Sequence, residues 1–256
     1  MEGMALSLAR TEGKTIGGRR SVAPSAMATA RRVVRLGGMF STELGIDLNA
    51  GDGEVARWFL AATLFGTRIS AAVAERTFAV LDRAGVSAAG ARHVAWEDLV
   101  ELLDRGGYTR YDYRTATRLQ QLSEVLDARY GGDVCAIERA ASSAAQLEAE
   151  LDALPGWGPV TVGVFLRELR GLWVHADPPL GELAIVAGHH LGLFGAVGEP
   201  RPLGAVRELA RLGALSEASS LDRRDLECAL VRLGLAHRRS VAGCPGGRRC
   251  RLLPAA

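Results

Sequence analysis

From Glu54 onward apolar residues return every three or four positions, and no stretch alternates long enough to build a sheet. Val55, Trp58, Phe59, Ala62 and Phe65 set the spacing, and Val73, Phe78 and Val80 continue it between Ala72 and Leu81. This is the period of helices with one face against a core. Glycines punctuate it: Gly85 follows the second run, and Gly106-Gly107 follows a short run marked by Trp96, Leu99, Leu102 and Leu103. Gly131-Gly132 closes a longer run over residues 114–130, with Leu119, Leu122, Val125 and Leu126 on one face. Glycine after the last periodic residue is an ordinary helix stop. The pattern predicts an all-α fold with short connections and no internal repeat.

The chain's 256 residues suffice for one large domain or two small ones sharing a core. With 48% apolar and 23% charged residues, wholesale disorder, collagen and a disulfide scaffold are excluded. No apolar run reaches the eighteen residues of a membrane span, and the N-terminus lacks a secretory core, so a cytoplasmic protein is expected. Residues 1–27 read as a flexible basic tail, part of which could precede a true start at Met27; a mitochondrial presequence is the alternative. The net charge is only +2, yet Lys14 is the sole lysine and every other basic residue is arginine. Beyond the tail no amine is available to form a Schiff base, and arginine stays protonated and cannot replace it.

The most informative stretch begins at Ser143. Ser143-Ala144-Ala145-Gln146 has the form of a capping box, and Leu147, Leu151 and Leu154 then line one helix face. Pro155-Gly156-Trp157-Gly158 breaks that helix, and Pro159 suits the first position of a second one running to about Arg170. Such a turn leaves backbone N–H groups at the positive end of the second helix, an arrangement suited to a phosphate oxygen. A helical hairpin that merely packs is the plainer reading.

The segment Leu154-Pro155-Gly156-Trp157-Gly158-Pro159-Val160-Thr161 resembles the helix-hairpin-helix motif of the endonuclease III-like DNA glycosylases. Residues 54–84 look like the first barrel helices of that family, and Gly106-Gly107-Tyr108 with the following helix is similar to its glycine–tyrosine loop. The resemblance covers residues 50–250. It implies two helical lobes flanking a cleft: residues 51–165, including the hairpin, as one, and 28–50 plus 166–256 as the other. It makes Asp177, in His175-Ala176-Asp177-Pro178, the catalytic carboxylate, which would stabilise sugar cation character as the base leaves or activate a water. By its residues alone Asp177 is also a helix N-cap before Pro178, with Leu180, Leu183, Ala184, Ala187 and Leu191 following. Where the family usually has a polar pair, this chain has Pro178-Pro179. Bifunctional members carry a lysine at the position of Val160, so the resemblance implies base removal without strand cleavage. It further implies DNA contacts from Gly156, Trp157, Gly158, Val160, Thr161, Tyr108, Arg110 and Tyr111.

Several of these residues have a second reading. Tyr108, Tyr111 and Tyr113 interleave with Arg105, Arg110 and Arg114, which suits stacking on an unpaired base and gripping phosphates, or the tyrosines roof the core. Trp157 either presses on nucleic-acid backbone or covers the core. Arg238, Arg239, Arg248, Arg249 and Arg251 either contact phosphate or form a solvated basic tail. His189 and His190 close a predicted helix, and His175 lies near Asp177 in sequence.

An iron–sulphur cluster needs four thiolates. Cys244 and Cys250 resemble the last two of the family's loop, but Gly234 and Val241 stand at the positions of the others, so no cluster is expected. Cys228, His237, Cys244 and Cys250 match no usual zinc spacing, and free cysteines or one disulfide are the simpler expectation.

The sequence thus predicts a monofunctional DNA glycosylase of base excision repair, acting as a cytoplasmic, nucleoid-associated monomer on double-stranded DNA carrying a lesion or mismatch, without metal or cofactor. The alternative is a helix-hairpin-helix DNA-binding protein without catalysis. No cofactor motif supports a metabolic enzyme.

Overall fold

Helix formation starts earlier than the sequence pattern predicts. In the computed structural model, which describes residues 22–67, 69–194 and 204–237, Pro24–Val34 form α1 with proline at its start. Pro24 to Met27 thus belong to this helix and not to a tail, because the fixed φ of proline suits the first turn and Ala30 and Val33 bury the inner face. There follow α2 (Phe40–Glu43), α3 (Asp52–Phe65), α4 (Ala71–Arg83), α5 (Trp96–Gly106), α6 (Asp112–Tyr130) and α7 (Cys135–Ala140). Then come α8 (Ala144–Asp152), α9 (Pro159–Leu169), α10 (Glu182–His190), α11 (Gly204–Ser219) and α12 (Arg223–His237). The fold is all-α: no strand occurs among the described residues, and none of these helices is long and apolar enough to cross a membrane.

The local signals act as read. Gly107 ends α5 in the left-handed region, at φ +93°, where a side chain would be strained. Ser143 Oγ accepts the Gln146 N–H at 3.2 Å, but the Gln146 side chain reaches back to the Ser142 N–H, at 2.9 Å, so the box closes one residue early.

The core is organised around α3, whose Trp58 and Phe59 are fully buried. Trp58 donates its indole N–H to the Phe165 carbonyl at 3.1 Å, tying α3 to α9. At the other end α12 packs on α9 and α10, and α1 packs on α11 and α12, so both ends of the described chain meet. The α10–α12 contact is close enough that a Cβ at Gly234 would sit 2.4 Å from the Leu183 carbonyl oxygen. Glycine at that position is therefore a packing requirement.

A buried carboxylate joins these parts. Glu168, on α9, accepts the N–H groups of Phe40 at 3.0 Å and Ser41 at 2.9 Å, where α2 begins. The Cys228 thiol donates to the same carboxylate at 3.4 Å, and burial raises the pKa of that thiol well above the usual cysteine range.

Candidate functional site

The turn between α8 and α9 follows from its residues. Trp157 N–H bonds the Leu154 carbonyl at 3.0 Å around Pro155 and Gly156, and Gly156 takes φ +83°, the third-position angle of a type II turn. Pro159 opens α9, and Gly158 before it offers no side-chain cap, so the first-turn amides of Val160 and Thr161 receive no capping bond. At Gly158 the backbone is extended, and a Cβ there would meet nothing within 4 Å. Neither conformation nor neighbouring atoms therefore demand glycine at that point. Arg118 of α6 lies against the turn, its Cδ 3.1 Å from where a Gly156 Cβ would be. No local pattern in the sequence marks this arginine, because the contact spans α6 and the hairpin.

The DNA-contact residues divide by burial. Val160 is 70% exposed on α9, Arg110 is exposed, and Tyr111 is half-buried with the Arg110 guanidinium over its ring. Trp157 belongs to the core: it stacks on Phe59 at 4.4 Å and donates to Thr63 Oγ1 at 3.1 Å. Thr161 is buried and packs against Gly66. Tyr108 is buried as well, donating its hydroxyl to the Leu64 carbonyl at 3.0 Å, and burial pushes its phenol up. The side-chain contacts expected of Trp157, Thr161 and Tyr108 are corrected accordingly: apolar packing and a buried acceptor hold them inside. Tyr113 is exposed but stacked on Trp96.

Asp177 is not a helix N-cap. The chain runs without helix from Asp177 to Gly181, and α10 begins at Glu182 with Gly181 as its cap. The Asp177 side chain is 60% exposed and held at its carboxylate by Arg170, whose Nη1 donates to Oδ1; Arg223 approaches the same oxygen at 3.8 Å. Arg170 leaves α9 at its last turn, is itself buried, and also donates to the Pro178 carbonyl at 2.7 Å and to Glu227 at 3.0 Å. One guanidinium thus fixes the carboxylate of Asp177, the main chain after it and a buried glutamate on α12. His175 is anchored through its N–H to Glu138, at 2.9 Å.

Beside this network lies a mostly apolar cavity of about 960 Å³. It is lined by residues of α9 from Pro159 to Arg167, by the segment from Pro178 to Leu183, by Glu227 and Val231 of α12, and by parts of α8 and of the connection between α3 and α4. Burial raises the pKa of the Glu227 carboxyl above the usual glutamate range, while the guanidinium groups of Arg170, Arg167 and Arg223 act against that rise.

Comparison with protein-family models, with curated proteins and with solved structures gave no match. The family resemblance rests on the residues quoted above.

Cys244 and Cys250 lie outside the described residues, as does the arginine cluster from Arg238 onward. Cys228 is fully buried, and Cys135 is buried on α7. Asp52, Asp133 and Cys135 bring ligand atoms within 4.8 Å of one another. Arg139 already pairs with both carboxylates, and burial followed by the charge of Asp52 pushes the Cys135 thiol up to about 12. His189 pairs with Glu208 at 3.0 Å, a structural contact between α10 and α11.

Proposed function

We propose that this protein is a monofunctional DNA glycosylase, removing a flipped damaged or mismatched base from double-stranded DNA. One observation carries the reading: the first turns of α9 and the residues directly after Asp177 line the same cavity. A base turned out of the duplex fills the cavity, and its sugar lies at the mouth beside the exposed carboxylate. The uncapped amides of Val160 and Thr161, with Arg118 at the turn, receive backbone phosphate. Open space at Gly158 lets that backbone approach closely. Asp177 then stabilises positive charge on the sugar as the glycosidic bond lengthens, and water completes the hydrolysis. Val160 offers no amine, so the abasic sugar is left intact.

A second reading, DNA binding without catalysis, is favoured by the arginines at Asp177. Arg170 and Arg223 oppose the field with which that carboxylate would act on a developing cation. Duplexes carrying alkylated, deaminated or mismatched bases, treated with hot alkali after incubation, decide between them. Breaks that require alkali and vanish in Asp177→Asn support the enzyme. Tight binding with no release across the panel supports the binding protein.

A further inference from the structure

Among the ionisable residues on the cavity wall Glu227 stands apart. Glu148 and Arg167 are half-buried and Asp152 and Glu182 exposed, whereas Glu227 is 2% exposed. Its hydrogen bonds come from a single guanidinium: Arg170 Nε reaches Oε2 at 3.0 Å and Nη2 approaches Oε1 at 3.4 Å. A carboxyl group has about four acceptor positions, so half of its capacity is unused. Arg167, which lines the same cavity, and Arg223 bring positive charge near Glu227 but no hydrogen bond to it, and most of the remaining lining is apolar. A buried acceptor with spare lone pairs on an apolar wall is completed by a donor on whatever fills the cavity.

We propose that Glu227 selects the occupant of this cavity by accepting a hydrogen bond from the exocyclic amino group of a nucleobase, so that amino-bearing bases are taken in preference to keto bases. The choice of a base as occupant rests on the glycosylase reading; the demand for an N–H donor rests on Glu227 alone. Adenine and cytosine present an amino group to such a carboxyl. Uracil and thymine present carbonyl oxygens on both sides of their one edge N–H and meet it with lone-pair repulsion.

The test uses the full chain and four bases blocked at the nitrogen that carries the sugar, 9-methyladenine, 1-methylcytosine, 1-methyluracil and 1-methylthymine, with binding followed by ligand-observed NMR titration. The adenine and cytosine derivatives should bind about tenfold or more tightly than those of uracil and thymine, the worth of one hydrogen bond to a charged group. Glu227→Gln, which keeps an oxygen for Arg170, should bring the four bases within about twofold of one another. Should that variant fail to fold, Glu227→Asp, which withdraws the carboxyl from the cavity, takes its place. Gly163→Phe should abolish binding of all four, because Gly163 lies on the wall in mid-helix and a Cβ there meets nothing within 4 Å. No binding by the wild type, no preference, a preference surviving at Glu227, or full binding in Gly163→Phe overturns the proposal. A parallel lesion panel separates the two readings. A Glu227-dependent preference without base release removes the glycosylase reading and leaves this one standing. Base release that is indifferent to Glu227 does the reverse.

Discussion

Arg170 donates from Nε to Glu227 Oε2 across 3.0 Å, and both side chains are almost wholly buried. A buried pair of this kind adds little net stability, because desolvation offsets the attraction, but leaving one partner alone is costly. Arg170→Met should therefore destabilise the protein by about 3–5 kcal/mol. The double variant Arg170→Met/Glu227→Met should recover much of that loss, since no unpaired charge remains. Urea denaturation of the two singles and the double gives the coupling; strict additivity would show that the pair does not act as a unit.

Trp157 makes the parallel case in the hairpin. Its ring lies against Phe59 and Phe165, and its N–H bonds Thr63. Trp157→Ala should cost about 3–5 kcal/mol, as large aromatic truncations in cores do. Trp157→Phe, which keeps ring packing but leaves Thr63 without its donor, should cost roughly 1–3 kcal/mol. A stable Trp157→Ala protein with weakened DNA binding would instead return the residue to the surface role.

What the sequence disclosed was local. Ser143, Gly107 and Gly131 each fix a helix end through bonds within a few residues, Pro159 opens one through its constrained φ, and all four act at the expected places. Asp177 before Pro178 carried an equally good local signal and failed. Arg170 captures both the Asp177 carboxylate and the Pro178 carbonyl, drawing the chain past the point where a helix would start. Glu227, Glu168 and Arg118 left no mark on the sequence, because their partners lie on other helices far along the chain. The burial of Trp157 likewise depends on α3.

Two helical glycines should respond oppositely to the same change. At Gly163 a Cβ meets nothing within 4 Å, so Gly163→Ala should stabilise by about 0.5–1 kcal/mol through helix propensity alone. At Gly234 the new atom would fall 2.4 Å from the Leu183 carbonyl oxygen, and main chain cannot swing aside as a side chain can. Gly234→Ala should force α10 and α12 apart and cost about 1–3 kcal/mol. Thermal midpoints moving in the same direction for both would contradict this contact.

Acid sensitivity should have an identifiable part at Asp222. Its Oδ1 accepts the Arg224 N–H at 2.8 Å at the start of α12, and both oxygens bond the Arg224 guanidinium. Partial burial pushes this carboxyl up, but the Arg224 bonds together outweigh it and leave it below the usual aspartate range. A depressed value means that its contribution is complete above the unfolded value of about 4 and fades as pH falls through the folded one. Asp222→Asn should flatten that section of the stability–pH curve, measured by urea midpoints between pH 5 and pH 2. An unchanged slope would place the acid sensitivity elsewhere.

Val160 allows the hairpin's relation to the sugar to be tested by adding chemistry. It is 70% exposed on the cavity wall, so Val160→Lys should shift stability by no more than about 0.5 kcal/mol. The wild type has no lysine beyond Lys14, and its incubation with a duplex holding an abasic site should give no adduct on borohydride reduction. In the variant the new amine stands beside the place proposed for the sugar. It should attack the ring-opened aldehyde with loss of water, forming an imine that borohydride reduces to a stable protein–DNA crosslink. A folded Val160→Lys protein that binds the duplex but leaves no crosslink would mean that the sugar does not reach this face of α9, and the glycosylase reading would lose the geometry on which it stands.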